Sequence, residues 1–210
     1  MKVDLITYTP LPDLLVGQAA ALCTGSNDAL ASGKGAMASG HLSVVEHANF
    51  TFQIEGVSRV LLAQLTRHRI ASFSVQSQRY CGVQLEYVTP PKIIEDGWRS
   101  DYETHMERSF NLYQQMVEDG VPEEDARYLI PQGICCKLMM TMNVRELLHF
   151  FELRCCNRAQ WEIRRLADEM LKQCRVAAPV LFRKAGPGCV TGTCPEGKRS
   201  CGHPRTEEMK

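Results

Sequence analysis

The sequence has no excess of charge of either sign and no long hydrophobic run. Its 24 lysine and arginine residues balance 24 aspartate and glutamate residues among 210 positions. A neutral chain lacks the basic field on which nonspecific nucleic-acid binding depends, so a polymer-binding function is disfavoured. No apolar stretch approaches the roughly 20 residues that a membrane-spanning helix needs. We therefore expect a soluble protein that binds neither nucleic acid nor membrane.

The sequence also lacks a glycine-rich dinucleotide loop and a leader pattern. Without the Gly-x-Gly-x-x-Gly loop between a strand and a helix, no Rossmann domain is predicted, so a nucleotide cofactor would have to bind in another way. The first residues, 1–4, show no basic segment followed by an apolar one, from which we expect a cytoplasmic protein.

Cysteine is abundant, with ten residues, but the pattern does not favour disulfides. The adjacent pairs Cys135-Cys136 and Cys155-Cys156 lie in apolar, periodic segments, where buried thiols are expected. The remaining feature is a cluster near the C-terminus, in a segment that we separate as a Cys-rich tail of residues 187–210. The preceding residues, 1–186, are predicted to form one catalytic domain.

Hydrophobic periodicity predicts an α+β fold, with a central, mostly antiparallel sheet flanked by long helices. The clearest signal is the strict alternation of apolar and polar residues over 49–55. The predicted strands span residues 2–9, 49–55, 80–88 and 133–141. The predicted helices span residues 14–23, 28–37, 60–65, 100–118, 143–154 and 159–174.

The stretch at residues 67–80 is the most informative polar segment. It follows a predicted buried helix and carries the guanidiniums of Arg67, Arg69 and Arg79, the imidazole of His68, and several hydroxyl groups. Arginine presents a planar fork of donors that matches phosphate oxygens, so the segment favours capture of a phosphorylated small molecule. If the basic triplet is considered alone, the alternative to a phosphate site is a solvated helix end that is followed by an ordinary polar loop.

A second run, at residues 143–154, places several functional side chains on one predicted helix. Arg145 and His149 lie one turn apart and share a face, and Arg154 lies at the end. Taken alone, this run is equally consistent with an arginine paired on a solvated face and a histidine satisfied in the core.

The two runs together resemble the flavin-dependent thymidylate synthases. The first reads Arg-His-Arg-x-x-Ser-x-x-x-x-Ser-x-Arg-Tyr, and the second reads Asn-x-Arg-x-x-x-His-Phe-x-x-Leu-Arg. Two shorter matches, over residues 41–47 and 126–131, extend the resemblance to most of the chain, from about His41 to about Arg183. One departure is Val75, where many members of the family have glutamate; valine can neither accept a proton nor bond to a ribose hydroxyl.

The resemblance implies a homotetramer that converts dUMP to dTMP. Methylenetetrahydrofolate would donate the carbon, and FAD reduced by NADPH would donate hydride. The positions that the resemblance assigns to FAD are Ser43, Glu46, Arg67, His68, Arg69, Asn143, Arg145 and His149. Those that it assigns to dUMP are Gln64, Ser77, Gln78, Arg79, Arg127 and Arg154. Among these, Ser77, Arg79 and Arg154 are our candidates for catalytic roles.

The C-terminal cluster offers a different class of function. Cys189, Cys194, Cys201 and His203 are the ligand types of a Cys₃His zinc site, although the first spacing is wider than usual. In that alternative, the protein would be a zinc-stapled module that binds RNA or protein through residues 67–79. The neutral charge and the absence of interleaved aromatic residues count against it, and a tail of free thiols is the other possibility.

Overall fold

The computed structural model describes residues 1–190, 192 and 194–205. These residues contain four strands: β1 (Lys2–Tyr8), β2 (Asn49–Ser58), β3 (Ala71–Val75) and β4 (Cys135–Asn143). The α-helices are α1 (Pro12–Thr24), α2 (Ala29–Ala38), α3 (Arg59–Leu65), α4 (Pro91–Glu95), α5 (Arg99–Glu118), α6 (Glu123–Ala126), α7 (Val144–Arg154) and α8 (Trp161–Ala177). None of them, within the described residues, is both long and apolar enough to cross a bilayer.

The four strands form one sheet in the order β1-β2-β4-β3. At one end of the β1-β2 pair, the Thr9 N–H donates to the Asn49 carbonyl oxygen at 3.0 Å. In the β2-β4 pair, the Thr51 and Thr141 hydroxyls are 2.9 Å apart, and Val144 N–H donates to Ala48. These pairings run in opposite directions. The predicted α+β class with an antiparallel sheet is therefore confirmed.

The described residues form two compact units. The first comprises residues 1–2, 54–66 and 74–139, and the second comprises residues 3–53 and 67–73 and the described residues from 140 onward. In the second unit, Phe182 packs edge-on against both Phe50 and Phe151, at centroid distances of 5.4 and 5.8 Å. All three side chains are fully buried, so this aromatic cluster forms the centre of that unit's core.

The predicted strand at residues 80–88 is wrong. The segment contains turns, and only Tyr87 makes an isolated bridge, to Ile134. Two of its backbone donors bind side chains of the same unit: Gly82 N–H donates to Glu123 Oε2, and Val83 N–H donates to the Tyr113 hydroxyl, at 3.2 Å each. Because these donors are used in this way, they are unavailable to a strand ladder.

One strand was not predicted. β3 lies within the polar stretch and alternates small or apolar residues with Ser72 and Ser74, which are exposed. It occupies an edge position in the sheet. An edge strand with an exposed face needs few apolar residues, which is why hydrophobicity did not indicate it.

Helices α1 and α2 pack closely in the second unit because glycine replaces a side chain at their contact. A Cβ at Gly17 would lie 2.4 Å from the Ala29 carbonyl oxygen, whereas a Cβ at Gly35, also in α2, would meet nothing within 4 Å.

This contrast gives a matched prediction. Gly17→Ala should lower the free energy of unfolding by about 1–3 kcal/mol, because the helices must separate. Gly35→Ala should raise it by about 0.5–1 kcal/mol, because alanine is the better helix former. Urea denaturation of both variants measures the difference, and equal effects would show that the α1-α2 contact is not tight.

Candidate functional site

Helix α7 organises the site in the second unit. Asn143 is its N-cap, and its Oδ1 accepts a hydrogen bond from Glu146 N–H at 2.9 Å. The helix buries Leu147, Phe150 and Phe151, while Arg145 and His149 are exposed. The second sequence motif therefore lies on one helix, as predicted, with its apolar face fixed in the core.

The basic triplet divides into two exposed arginines and a buried histidine. Arg67 and Arg69 point to solvent, whereas His68 is only 4% exposed. The His68 ring packs edge-on against Phe150 at a centroid distance of 5.0 Å and against His149 at 5.9 Å. A buried imidazole must have partners for both ring nitrogens or lose hydration energy.

Both His68 nitrogens have partners on α7. Nδ1 lies 2.9 Å from Glu146 Oε1, and Arg154 Nε–H donates to Nε2 at 3.1 Å. Because arginine has no acceptor, Nε2 must carry the lone pair, and the ring proton is then on Nδ1 and is donated to Glu146. Burial lowers the pKa of His68, Glu146 opposes this shift, and the Arg154 charge adds to it. Because Nε2 accepts a hydrogen bond from Arg154, the ring is neutral in this arrangement.

Among the described residues, one of the three guanidinium nitrogens of Arg154 has a hydrogen-bond partner. Partial burial lowers its pKa, as does, to a smaller extent, the charge of Arg67. Among the residues that the structure describes, its side chain makes one hydrogen bond, from Nε to His68. The two terminal nitrogens of the fork are thus available for an anionic or carbonyl ligand.

A cavity of about 550 Å³ lies at the start of α7. Glu46, Asn143, Arg145 and His149, four of the predicted cofactor residues, line it. Arg145 forms an ion pair with Glu46. Ser43 instead lines a separate cavity, of about 690 Å³, against α1 and α2.

Most of the predicted substrate residues belong to the first unit. Ser77 and Gln78 line a small cavity of about 40 Å³, together with Lys137. Arg79 Nε lies 2.7 Å from Glu124 Oε2, and Arg127 Nε–H donates to the Glu124 carbonyl oxygen at 3.0 Å. One residue, Glu124, therefore contacts both of the arginines in this unit that the resemblance assigns to dUMP.

Gln64 is half-buried in the last turn of α3, where its side-chain amide donates to the Val60 carbonyl oxygen at 3.5 Å.

Sequence reasoning missed Glu124, Lys137 and Glu146. Glu124 and Lys137 are exposed, and nothing in their local pattern distinguishes them from other surface charges. For Glu146 a signal existed. It precedes Phe150 by four residues, so it lies on the buried face of α7, where a carboxyl group requires a partner.

Cys155 directly follows α7 and is fully buried. Burial, reinforced by the nearby Asp168 carboxyl group, strongly raises the pKa of its thiol. A thiol in this setting stays protonated and is a poor nucleophile.

The described part of the tail contacts the end of α7 through Arg205. Arg205 donates from Nη1 and Nη2 to the two oxygens of Asp168, at 3.0 Å each, and from Nη1 to the Cys155 carbonyl oxygen at 2.6 Å. Cys189, Cys194, Cys201 and His203 line a cavity of about 360 Å³. Within residues 1–190, 192 and 194–205, no three His, Cys, Asp or Glu residues are placed to hold a metal ion. The predicted tail also includes positions 191, 193 and 206–210, which lie outside the described residues.

Comparison with known proteins gives consistent matches. Residues 4–180 match the family model described as "Thymidylate synthase complementing protein". A flavin-dependent thymidylate synthase of Geobacter sulfurreducens is 48% identical, covering 96% of this chain and 94% of the relative. One from Clostridium tetani is 43% identical, covering 100% and 96%. The crystal structure of a UMP/dUMP methylase, PolB from Streptomyces cacaoi bound with 5-Br dUMP, superposes with a TM-score of 0.78 at 26% identity, covering 87% of this chain and 93% of that one.

Because His68 is buried, we predict that the free energy of unfolding depends on pH. In the unfolded chain its imidazole titrates near 6.5, whereas burial holds the folded-state pKa lower. As the pH falls below about 6.5, the unfolded state binds a proton that the folded state does not, so the free energy of unfolding decreases. His68→Gln should lose less stability than the unchanged protein between pH values of about 7.5 and 5.5.

Urea denaturation at the two pH values measures this difference. His105→Gln, at an exposed position of α5, is the control and should behave like the unchanged protein. If His68→Gln also follows the unchanged protein, the assignment of a neutral, buried ring is wrong.

Proposed function

The chain belongs to the flavin-dependent thymidylate synthase family, and from this membership we propose that it converts dUMP to dTMP by reductive methylation. The carbon donor would be methylenetetrahydrofolate, and FAD, reduced by NADPH, would be the hydride carrier. The observation that carries the proposal is the 48% identity to a synthase over nearly the full length of both chains. The similarity to a UMP/dUMP methylase structure supports the nucleotide substrate.

The second unit has side chains that fit FAD. Arg67 and Arg69 are exposed cations, and the cavity at the start of α7 brings together Glu46, Arg145 and His149. Guanidiniums suit the pyrophosphate of a dinucleotide, and a neighbouring carboxylate suits ribose hydroxyls. Bound FAD would supply hydride transfer, and the protein's part would be binding and orientation. We assign His68 a supporting role and no direct hydrogen bond to FAD, because both of its ring nitrogens are hydrogen-bonded to protein groups.

For dUMP, we assign the phosphate to Arg79 and Arg127. Both now contact Glu124, through a side-chain ion pair and a backbone carbonyl oxygen respectively. The Arg79 ion pair is half-exposed and is worth at most about 1 kcal/mol, so a dianionic phosphate can replace it. Gln64, Ser77 and Gln78 would position the nucleoside.

Arg154 is the residue that we assign to the uracil ring. Reaction at C5 and C6 places negative charge on the uracil oxygens, and preorganised donors lower the barrier to such a step. The Nε anchor to His68 leaves Nη1 and Nη2 for this purpose. Arg79 and Ser77 complete the proposed catalytic set, with Ser77 as a positioning hydroxyl.

The assembly and location are also proposals. We infer a cytoplasmic homotetramer, in which subunits share the FAD sites, as the family resemblance implies. We further propose that residues 1–186 are the catalytic domain and that the tail supports the end of α7 through Arg205. The alternative of a zinc-stapled RNA- or protein-binding module is disfavoured by the family membership.

The direct test is to purify the protein and measure flavin absorbance and turnover. Bound flavin, higher thermal stability with added FAD, and dTMP formation that requires dUMP, methylenetetrahydrofolate and NADPH are expected. UMP is the matched control substrate and probes discrimination at the 2′ position. A colourless protein that FAD does not stabilise would refute the proposal.

The phosphate assignment predicts selective loss of nucleotide binding. Arg79→Ala and Arg127→Ala should each weaken dUMP binding on the order of tenfold or more, because each removes a charge-assisted hydrogen bond, while FAD binding is retained. Calorimetric titration with each ligand measures this effect. Arg108→Ala, at an exposed position of α5, is the control. Equal loss of both ligands would contradict the assignment.

The protonated, buried thiol of Cys155 leads us to predict that no protein side chain forms a bond to the nucleotide during turnover. Cys155→Ala, Cys156→Ala and Ser77→Ala should each retain turnover once rates are normalised to the FAD-loaded fraction. The raised pKa of Cys155 is the physical reason for the first variant. Complete loss of turnover in one folded, FAD-loaded variant, with a trapped protein–nucleotide adduct in the unchanged enzyme, would show a covalent mechanism.

A further inference from the structure

Glu146 is a buried carboxyl group to which neither the sequence motifs nor the comparisons assign a role. It is 7% exposed and lies in the first turn of α7, where Asn143 fixes its backbone. Its Oε1 is 2.9 Å from His68 Nδ1. A carboxyl group is costly to bury, so this placement requires a compensating interaction, which the imidazole provides.

The imidazole connects two residues that cannot meet directly. Glu146 and Arg154 are eight positions apart on α7, roughly two turns and about 12 Å along the helix axis. Phe150 lies midway between them and packs against the His68 ring at 5.0 Å. The ring thus lies along one stripe of the helix, bonded to Glu146 at one nitrogen and to Arg154 at the other.

We propose that Glu146 is a positioning residue that fixes the His68 tautomer and, through it, the orientation of the Arg154 fork; the proposal deepens, and rests on, the assignment of Arg154 to the nucleotide. With the proton on Nδ1, Nε2 presents a lone pair to Arg154 Nε–H. With the proton on Nε2, two donors would face each other, and the guanidinium would turn away. The same logic applies where a carboxylate holds a catalytic imidazole in one tautomer.

Glu146→Gln tests this without changing the size of the side chain. A carboxylate can only accept from Nδ1–H, whereas the glutamine amide can also donate to Nδ1, so the variant no longer enforces the Nδ1–H tautomer and the bond from Arg154 Nε–H to Nε2 is weakened. The dissociation constant of dUMP should rise on the order of tenfold to a hundredfold, the effect of losing a hydrogen bond to a charged group.

A double-mutant cycle shows whether the effect passes through Arg154. In an Arg154→Met background, adding Glu146→Gln should change the dUMP dissociation constant by less than about twofold, since the guanidinium is already absent. Losses of equal size in both backgrounds, or no loss in either, would overturn the proposal. If Glu146→Gln does not fold by circular dichroism, His68→Gln takes its place under the same criterion.

A matched control is Glu162→Gln. Glu162 is 2% exposed and lies in the first turn of α8, so the substitution also neutralises a buried carboxyl group near a helix start. Glu162→Gln should change the dUMP dissociation constant by the same factor in the unchanged protein and in the Arg154→Met variant.

A second measurement does not depend on the nucleotide. Imidazole ¹⁵N shifts of histidine-labelled protein, assigned with His68→Gln, should show the Nδ1–H tautomer in the unchanged protein and a gain of Nε2–H in Glu146→Gln. Glu162→Gln should leave the His68 signals in place. If the unchanged protein fails to bind dUMP, the proposed function fails, and the tautomer alone then decides this proposal. A proton on Nε2 in the unchanged protein would overturn it.

Discussion

A buried, neutral imidazole is the interaction on which the site depends. His68 lies between two exposed arginines, yet its own ring is removed from water and bonded at both nitrogens to one helix. Burial makes the charged form of the ring unfavourable, so its hydrogen bonds have a fixed direction. The direction of these two bonds determines which guanidinium nitrogen of Arg154 is hydrogen-bonded to the protein and which nitrogens remain available to a ligand.

Helix α7 supplies every partner in this arrangement. Its N-cap, Asn143, fixes the first turn, and the spacing of Glu146, Phe150 and Arg154 repeats every four residues, so the three share a face. The end of the helix is restrained separately, because Arg205 binds both Asp168 and the carbonyl oxygen of Cys155. Arg205 is thus hydrogen-bonded to Cys155, the residue that follows Arg154, although the two residues are far apart in sequence.

Much of this architecture could be predicted from the sequence. The alternation over 49–55 and the apolar stripe of α8 identified elements that the structure confirms, because burial on one face imposes a period. The wrongly predicted strand lies where backbone donors bind side chains. The segment at 80–88 looked like a strand, but Gly82 and Val83 donate to Glu123 and Tyr113. Such long-range contacts leave no local periodicity in the sequence.

The candidate site shows the same division. The motifs identified Arg67, Arg69, Arg145 and His149, because basic side chains in a fixed order form a recognisable pattern. The motifs also identified His68, but they did not indicate that its ring is buried. Glu124 and Glu146 were missed because a carboxyl group next to an arginine or histidine is defined by distance in space. Only the Glu146 position carried a clue, an acidic residue on the buried face of a helix.

The arrangement also explains why arginine, and not lysine, suits position 154. A lysine ammonium group is a single nitrogen, so a bond to His68 and a bond to a ligand would compete for the same point charge. Arginine separates the two tasks along one rigid plane: Nε is bonded to the imidazole at 3.1 Å, and the terminal nitrogens point beyond it. Because the guanidinium is planar, fixing Nε also limits where Nη1 and Nη2 can lie. The buried carboxyl group of Glu146 can therefore influence a ligand that it never touches.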